Sequence, residues 1–301
     1  MKLTPSTRVL VTGASGSLGW VVARMLAARC QVTSTYLSHA QVPEGTTGVR
    51  MDLADKRSIE TAFEGAKPQI VIHSAAVTDP DACERDPKTA FKVNFEATHA
   101  LTSLARKAGG RVVFISTDLV FDGAKGNYAE NDQPCPLSIY GMAKLRAEEA
   151  VLGEEPGSVV LRSALIYGFG SPNSRTFLGR LVEVLASGGP AKLFTDQLRS
   201  PVLVDDLAQG AVLAIQQDLA GLFHLGGGDA VSRHEFGQQV CRVFGFDKRM
   251  LVPTRMMEFE ALARRPLDAT LDSSKFARAT GFAACALADG LERAKRSQLL
   301  D

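Results

Sequence analysis

A glycine-rich loop near the amino terminus constrains the fold of this 301-residue chain more than any other feature. Gly13, Gly16 and Gly19 follow the apolar run 8–12 and lead into the amphipathic stretch 18–28, in which Gly19 is the second residue. This order predicts a loop between a strand and a helix. Glycines permit a tight turn and a close approach of the backbone to a pyrophosphate at the helix amino terminus. An ordinary glycine-rich turn is the alternative, and the flanking strand and helix favour the phosphate-binding loop.

The first half of the chain alternates short β-branched runs with longer amphipathic stretches. The runs are almost continuously apolar, as in strands of a parallel sheet that is buried on both faces. This alternation predicts an α/β fold with a doubly wound parallel sheet, the Rossmann fold. The predicted strands are 8–12, 32–36, 70–74, 111–116 and 159–162, and the predicted helices are 18–28, 55–63, 87–108 and 139–152.

The alternation becomes less regular after about residue 162, where glycine- and proline-rich stretches separate shorter elements. A hydrophobic content of 45% over 301 residues is enough to bury a large core or two smaller ones. We therefore expect an NAD(P)-binding Rossmann domain in residues 1–165. Residues 166–301 are expected to form a smaller, substrate-binding α/β region, with some segments returning to the Rossmann core.

Three local patterns predict elements in this second region. Asp205 or Asp206 is positioned to cap a helix over 207–215, and the run 222–225 is typical of a strand. The tetrad Ser232–Glu235 fits a capping box, in which each of the two end residues bonds the other's backbone. These elements would extend the nucleotide-binding fold.

The near balance of charges argues against several classes of partner. The chain has 34 Lys and Arg residues and 33 Asp and Glu residues, so its net charge of +1 gives no global attraction to nucleic acid or membrane. It has no long apolar run, so we expect a cytoplasmic protein. Its five cysteines form no CxxC pair, and no spacing of ligand residues predicts a metal site. A small-molecule ligand would need a local site.

The segment after the second predicted strand bears on the choice of cofactor. An acidic residue there would hold the ribose diol of NAD, and residues 33–39 include none. Thr35, Ser38 and His39 offer donors to a 2′-phosphate instead. We therefore favour NADP, with NAD as the alternative. The same hydroxyls could also be ordinary strand-end and turn residues.

Two short segments are candidates for the remainder of the cofactor. Asp52 would accept a hydrogen bond from the adenine amino group and Leu53 would cover the adenine ring. The alternative is that Asp52 or Asp55 simply caps the next helix. Ala75 and Ala76 are small residues at the end of an apolar strand, where a bound cofactor could pack closely.

A tyrosine and a lysine four residues apart point to the chemistry. Tyr140 and Lys144 would share one face of the predicted helix 139–152, where the ammonium charge is expected to lower the pKa of the phenol. Such a tyrosine can protonate a carbonyl near neutral pH. Thr117 follows the predicted strand 111–116, so its hydroxyl would orient a substrate carbonyl. Taken alone, Tyr140 and Lys144 could be an ordinary exposed helix pair, and Thr117 could belong to a local turn. The order of the glycine loop, Thr117 and the Tyr140–Lys144 pair along the chain favours catalysis.

Other polar and aromatic residues have competing interpretations. His73 and His224 lie in apolar strands and are interpreted as core residues rather than ligands. Trp20 is expected to pack on the loop helix rather than on a substrate. Arg199 and Arg265 have loop-like, proline-flanked surroundings, so each is either a solvated surface residue or a bidentate ligand of a diphosphate.

Together, these motifs resemble the extended short-chain dehydrogenase/reductase family, and within it the dTDP-4-dehydrorhamnose reductase-like subgroup. The resemblance covers nearly the whole chain and implies an NAD(P)H-dependent reductase of a 4-keto-6-deoxy nucleotide sugar. Family habit also suggests a homodimer. The segments that carry the resemblance are 68–78, 116–123, 136–141, Asp196–Gln197 and Arg265–Pro266.

The resemblance also implies roles for individual residues. Tyr140 would donate the proton, Lys144 would bind the nicotinamide ribose and tune Tyr140, and Thr117 would hold the substrate oxygen. Asn94 would order a water molecule near the lysine. The full set of cofactor candidates is Gly13, Ser15, Gly16, Ser17, Leu18, Gly19, Thr35, Ser38, Asp52, Leu53, Ala75, Ala76, Thr78, Asn94, Tyr140 and Lys144; the substrate candidates are Thr117, Arg162, Leu165, Arg199 and Arg265.

Three positions depart from the subgroup pattern. Ser74, Leu119 and Leu165 stand where asparagine, tyrosine and tryptophan are usual. Loss of the aromatic side chain at Leu165 changes how a deoxysugar packs but leaves hydride transfer intact. A reductase or epimerase of another carbonyl substrate is therefore one alternative. A second is an NADP-binding regulatory subunit, because the subgroup also resembles the β subunit of methionine adenosyltransferase.

Overall fold

The computed structural model describes residues 2–172 and 176–298 of the chain. Strands and helices alternate in the first half as the sequence predicts, with small shifts of the boundaries. The elements are β1 (Arg8–Thr12), α1 (Ser17–Ala27), β2 (Gln31–Tyr36), β3 (Thr47–Arg50), α2 (Lys56–Ala66), β4 (Ile70–His73), α3 (Pro80–Arg85), α4 (Pro87–Phe91), a π-helical turn (Lys92–Glu96), α5 (Ala97–Lys107), β5 (Arg111–Thr117), a 3-10 turn (Asp118–Val120), α6 (Ile139–Glu154), β6 (Val159–Ser163) and β7 (Ile166–Tyr167).

The strands of the second half are mostly short, and five of them, together with β7, form two-stranded sheets. None of the helices in the described ranges is both long and apolar enough to cross a membrane. The elements are α7 (Phe177–Ala186), β8 (Ala191–Phe194), β9 (Leu198–Arg199), β10 (Val202–Leu203), α8 (Val204–Gln216), β11 (Gly221–Leu225), β12 (Val231–Ser232), α9 (Arg233–Phe244), β13 (Leu251–Thr254), α10 (Ser274–Thr280) and α11 (Leu287–Gln298).

The central sheet has seven strands in the order β11-β6-β5-β4-β1-β2-β3, and all neighbours are parallel. The chain starts at β1 and winds in both directions from it, which confirms the predicted doubly wound fold. In such sheets ligands bind in the crevice at the carboxyl ends of the strands, where the strand order reverses. Here that crevice lies between β1 and β4.

The second half of the chain contributes to this sheet and to its core. Strand β11 pairs with β6, so that Leu225 lies opposite Ser163. Helix α8 buries Leu207 and Ala211 in the same apolar cluster as Val22 of α1. A separate apolar cluster, built around Tyr167 and Phe236, holds the second-half elements together. One side of the Rossmann core is thus completed by residues from beyond position 200.

The two helix-start predictions in the second half had different outcomes. The capping box of Ser232 and Glu235 is confirmed, with both reciprocal hydrogen bonds present. The cap by Asp205 or Asp206 is wrong, because α8 begins at Val204 and both aspartates lie within its first turn. Asp206 instead accepts hydrogen bonds from the backbone N–H of Cys285 at 2.8 Å and from Arg293 at 2.6 Å.

Two buried histidines confirm their interpretation as core residues. The ring nitrogens of His73 lie 2.7 Å from the Thr12 hydroxyl and 3.0 Å from the Thr98 hydroxyl. His224 has Nδ1 3.0 Å from the carbonyl oxygen of Tyr128. Burial, reinforced by nearby positive charge, lowers the pKa of each ring to about 3. Both rings are therefore neutral in the folded protein at pH 5.

These histidines predict an acid-dependent loss of stability. Between pH 6.5 and about pH 3 the unfolded chain binds protons that the folded chain excludes, so each histidine should lower the unfolding free energy by about 1.4 kcal/mol per pH unit of acidification. Urea unfolding at pH 7.5 and pH 5.0 measures this slope. The variant His73→Gln should reduce the slope, whereas His39→Gln, at an exposed position, should keep it. A wild-type slope in His73→Gln would contradict the assignment.

Candidate active site

The glycine loop has the geometry of a phosphate cradle. Gly13 has a left-handed φ of +68°, and a Cβ atom added to it would lie 2.9 Å from Ala75 Cα. A Cβ atom on Gly19 would collide with the carbonyl oxygen of Gly13. Gly16 is the N-cap of α1 and has no side-chain cap, so the helix amino terminus is open to an anion. These residues fit the pyrophosphate of a dinucleotide.

A later segment of the chain packs directly on this loop, which the sequence did not indicate. Ser171 donates a hydrogen bond of 2.6 Å to the carbonyl oxygen of Ser15. A Cβ atom on Gly170 would collide with the carbonyl oxygen of Ser17. Among the other loop candidates Leu18 is buried. The segment 170–171, which belongs to the second half of the chain, therefore fixes the backbone of the loop.

The adenosine candidates are only partly where the prediction put them. Thr35 is 2% exposed, so it lies in the interior rather than at a 2′-phosphate, and this part of the prediction is corrected. Ser38 is exposed beyond the end of β2. Asp55 is the N-cap of α2, and Asp52 instead accepts a hydrogen bond of 2.8 Å from the backbone N–H of Ala54. Leu53 packs partly on the core under β1.

The segment after β4 is held from two sides. The Thr12 hydroxyl accepts hydrogen bonds of 3.1 Å from the backbone N–H groups of Ser74 and Ala75. The amide of Asn94 accepts from Val77 N–H at 2.8 Å and donates to the Val77 carbonyl at 3.0 Å. Asn94 thus fixes the backbone of this segment, and its role in ordering a water molecule near Lys144 stays a prediction. Ala76 is half-buried and Thr78 is exposed in the same segment.

A π-helical turn explains how Asn94 reaches this position. The sequence predicted one continuous helix over 87–108, but the structure places the turn Lys92–Glu96 between α4 and α5. A π turn inserts an extra residue into the helix and shifts the side chains that follow. Asn94 is 1% exposed as a result of its inward position.

The predicted catalytic residues converge at the carboxyl end of β5. Thr117 ends the strand, and Tyr140 lies in the first turn of α6, whose N-cap Ser138 accepts a hydrogen bond from Gly141 N–H at 3.2 Å. A Cβ atom on Gly141 would collide with the carbonyl oxygen of Leu119. The missing side chain therefore lets α6 approach the turn after β5, and the Thr117 hydroxyl lies near enough to the Tyr140 phenol to lower its pKa.

The charge state of this site differs from the prediction. Burial, followed by the nearby carboxylate of Asp118, raises the pKa of Tyr140, and the Thr117 hydroxyl opposes this only in part. Burial also lowers the pKa of Lys144 to about 7, against the opposing effect of Glu148. The Lys144 ammonium donates to the carbonyl oxygen of Ile115 at 2.6 Å. The expected lowering of the Tyr140 pKa by Lys144 is therefore wrong in this structure, and Tyr140 carries its proton at neutral pH.

Arg162 has a structural environment, which corrects its assignment to the substrate. Its side chain is 3% exposed and forms a two-pronged ion pair with Glu148, with Nη2–Oε2 at 2.7 Å and Nε–Oε1 at 3.0 Å. Glu148 also accepts a hydrogen bond from Ser116. The guanidinium lies over the ring of Phe121. Leu165 is half-buried after β6.

Arg199 and Arg265 are each paired with an aspartate. Arg199 is buried rather than solvated, with Nε 3.3 Å from Asp118 Oδ2 and Nη2 3.0 Å from the carbonyl oxygen of Pro266. Arg265 is partly exposed and binds Asp81 at 3.0 Å. The surface interpretation of Arg199 is therefore wrong. Both guanidinium groups belong to one charged region around Asp118, next to Thr117.

The same charged region contains Arg233, which the sequence did not identify. It opens α9 directly after the capping residue Ser232. Its Nε donates to the side-chain oxygen of Gln197 at 3.0 Å, and its charge lies within reach of Asp118 and Arg199. The sequence offers one signal for this contact, the subgroup landmark Asp196–Gln197, but does not identify the residue that binds Gln197.

Comparisons with known proteins agree with this fold. The family model described as the RmlD substrate binding domain matches residues 7–298. The dTDP-4-dehydrorhamnose reductase of Sinorhizobium fredii is 32% identical over 76% of this chain and 80% of its own. Methionine adenosyltransferase 2 subunit beta of Danio rerio is 31% identical over 90% of this chain and 84% of its own.

Solved structures show the same architecture. A hypothetical dTDP-4-dehydrorhamnose reductase from Sulfolobus tokodaii has a TM-score of 0.83 and 31% identity, covering 94% of this chain and 99% of its own. The Bacillus anthracis dTDP-4-dehydrorhamnose reductase, solved in complex with NADP, has a TM-score of 0.83, covers 97% of this chain and 100% of its own, and at 24% identity shows the shared fold. The chain therefore belongs to the RmlD substrate binding domain family, within the extended short-chain dehydrogenase/reductases that its motifs resemble.

Proposed function

We propose that this protein is an NADPH-dependent reductase of a 4-keto-6-deoxy nucleotide sugar. The observation that carries the proposal is the position of Tyr140, Thr117 and Lys144 at the carboxyl edge of β5, in the same crevice as a glycine loop that fits a pyrophosphate. Reductase relatives with the same architecture support this choice.

In this mechanism the protein supplies the proton and the geometry. Tyr140 is protonated at neutral pH, so its phenol can donate to the carbonyl oxygen as negative charge develops there. Thr117 holds the same oxygen by its hydroxyl, and Lys144 positions the nicotinamide ribose. The bound cofactor supplies the hydride. Thr12 and Asn94 fix the segment 74–77, against which the cofactor would pack.

Consumption of NADPH by the purified protein tests the proposal. With dTDP-4-keto-6-deoxy-sugar present, we expect NADPH absorbance to fall in proportion to the reduced sugar formed, and NADH to be used more slowly. The preference for NADPH rests on the lack of an acidic residue after β2, where Ser38 and His39 are exposed. Tight NADPH binding with no oxidation in the presence of dTDP-, UDP- and GDP-linked keto-sugars would refute the reductase assignment.

A regulatory role is the second candidate, favoured by the 31% identity to the methionine adenosyltransferase β subunit over most of the chain. In that case the cofactor would stabilise the fold while a partner enzyme carries the activity. Size-exclusion chromatography with a methionine adenosyltransferase catalytic subunit separates the two candidates. A stable complex together with inactivity on every keto-sugar supports regulation, and turnover without a complex supports the reductase.

A further inference from the structure

Arg233 is held in a fixed orientation at the start of α9. Its Nε donates to Gln197 at 3.0 Å, and its guanidinium carbon lies 4.7 Å from the centre of the Phe177 ring. An amide oxygen on one edge and an aromatic ring on one face determine the plane of the group. Neither contact neutralises its charge.

The surroundings of Arg233 leave part of this guanidinium unsatisfied. Its Nη1 is buried, and among the described residues none accepts a hydrogen bond from it. Burial and the neighbouring charge of Arg199 lower the pKa of Arg233 to about 9, with Asp118 opposing. The Oδ2 atom of Asp118 lies 3.3 Å from Arg199 Nε but has no hydrogen-bond partner among the described residues, so one carboxylate serves as the counterion of both guanidinium groups. A buried donor without an acceptor and a charge without a full counterion both cost stability, and binding of an anion would remove that cost.

The location of Arg233 indicates which anion. Through Asp118 it adjoins Thr117 and Tyr140, on the side of the site built by the second half of the chain. The glycine loop, which fits the pyrophosphate of the cofactor, is a different element. A planar guanidinium matches phosphate oxygens in two-pronged geometry.

We propose that Arg233 binds a phosphate oxygen of the substrate's nucleoside diphosphate group, an inference that rests on the proposed function and adds a residue to its substrate site. Gln197 and Phe177 act as positioning residues for this contact. Arg199, with its Nε on Asp118 and its Nη2 on a backbone carbonyl, holds the carboxylate beside which Arg233 lies.

Calorimetric titration of the purified protein with dTDP, and separately with NADPH, tests the inference. Arg233→Met should weaken dTDP binding about ten- to a hundredfold, because a charge-assisted contact is lost, and should leave NADPH binding unchanged. The matched control is Arg242→Met, on the exposed last turn of the same helix, which should bind dTDP like wild type. Arg233→Lys should bind dTDP with intermediate affinity, because lysine keeps the positive charge but lacks the planar guanidinium that donates two parallel hydrogen bonds.

Thermal unfolding without ligand separates a binding role from a structural one. Removing an incompletely satisfied buried guanidinium should leave the melting temperature of Arg233→Met equal to or above that of wild type. Unchanged dTDP affinity in Arg233→Met, equal losses for dTDP and NADPH, or a wild type that binds neither dTDP nor UDP would each overturn the inference. A wild type that binds dTDP but reduces no keto-sugar would refute the proposed function alone.

Discussion

Replacing Tyr140 by phenylalanine should lower the turnover of the keto-sugar about a hundredfold to ten-thousandfold while NADPH affinity stays nearly constant. The substitution removes the only phenolic proton at the carboxyl end of β5 within the described residues and keeps the ring that packs there. The hydride would still be available, but the developing alkoxide would have to take its proton from solvent. Steady-state NADPH oxidation and NADPH titration of the same preparation measure the two quantities.

Tyr128→Phe provides a matched control for this loss. Tyr128 is also buried, and its hydroxyl donates to Asp122 at 2.6 Å in a separate apolar cluster. We expect its removal to change turnover by less than about threefold, because the lost bond touches no part of the site. If Tyr140→Phe and Tyr128→Phe were equally active, Tyr140 would have no role in proton transfer.

The second large effect concerns stability. Glu148→Ala should lower the free energy of unfolding by about 3–5 kcal/mol, because it leaves the Arg162 guanidinium buried without its counterion. Both side chains are 3% exposed, and Glu148 also binds Ser116. Urea unfolding followed by circular dichroism measures the change. The double variant Glu148→Leu with Arg162→Met should recover most of the loss, because it removes both charges together.

An exposed ion pair on the same helix gives the comparison. Arg146 and Glu149 lie 2.9 Å apart with side chains 65% and 54% exposed. Glu149→Ala should therefore cost less than about 1 kcal/mol. A cost for Glu148→Ala as small as that for Glu149→Ala would mean that the buried pair is not coupled to folding. A cycle of wild type, Glu148→Leu, Arg162→Met and the double variant gives the coupling between positions 148 and 162.

The parts of the fold that depend on local sequence were predictable. The turn of the glycine loop, the strand and the helix on either side of it and the capping box at Ser232 each follow from residues close together in the chain, and each is confirmed. The end of β5 and the start of α6 are predictable for the same reason, and they bring Thr117 and Tyr140 together.

The environment of the charged residues could not be predicted, because it depends on partners distant in sequence. The sequence makes Arg162 a substrate candidate, but in the structure Glu148 pairs with it. It leaves Arg199 as either a solvated residue or a diphosphate ligand, but in the structure Arg199 is buried against Asp118. The Tyr140 pKa depends on how deeply α6 is buried, which no spacing reveals. No sequence pattern marks Arg233 as a site residue, and only its contact with Gln197 in the structure does so.

The position of β11 in the sheet has a consequence for synthesis of the protein. Strand β6 leaves the ribosome with one edge unpaired, and that edge stays open until Gly221–Leu225 has also emerged. Helix α8, which covers one face of α1 behind the glycine loop, is likewise translated late. A nascent chain that stops before residue 200 would expose apolar edges and faces to chaperones. The Rossmann core can therefore be completed only after residue 225 has been synthesised.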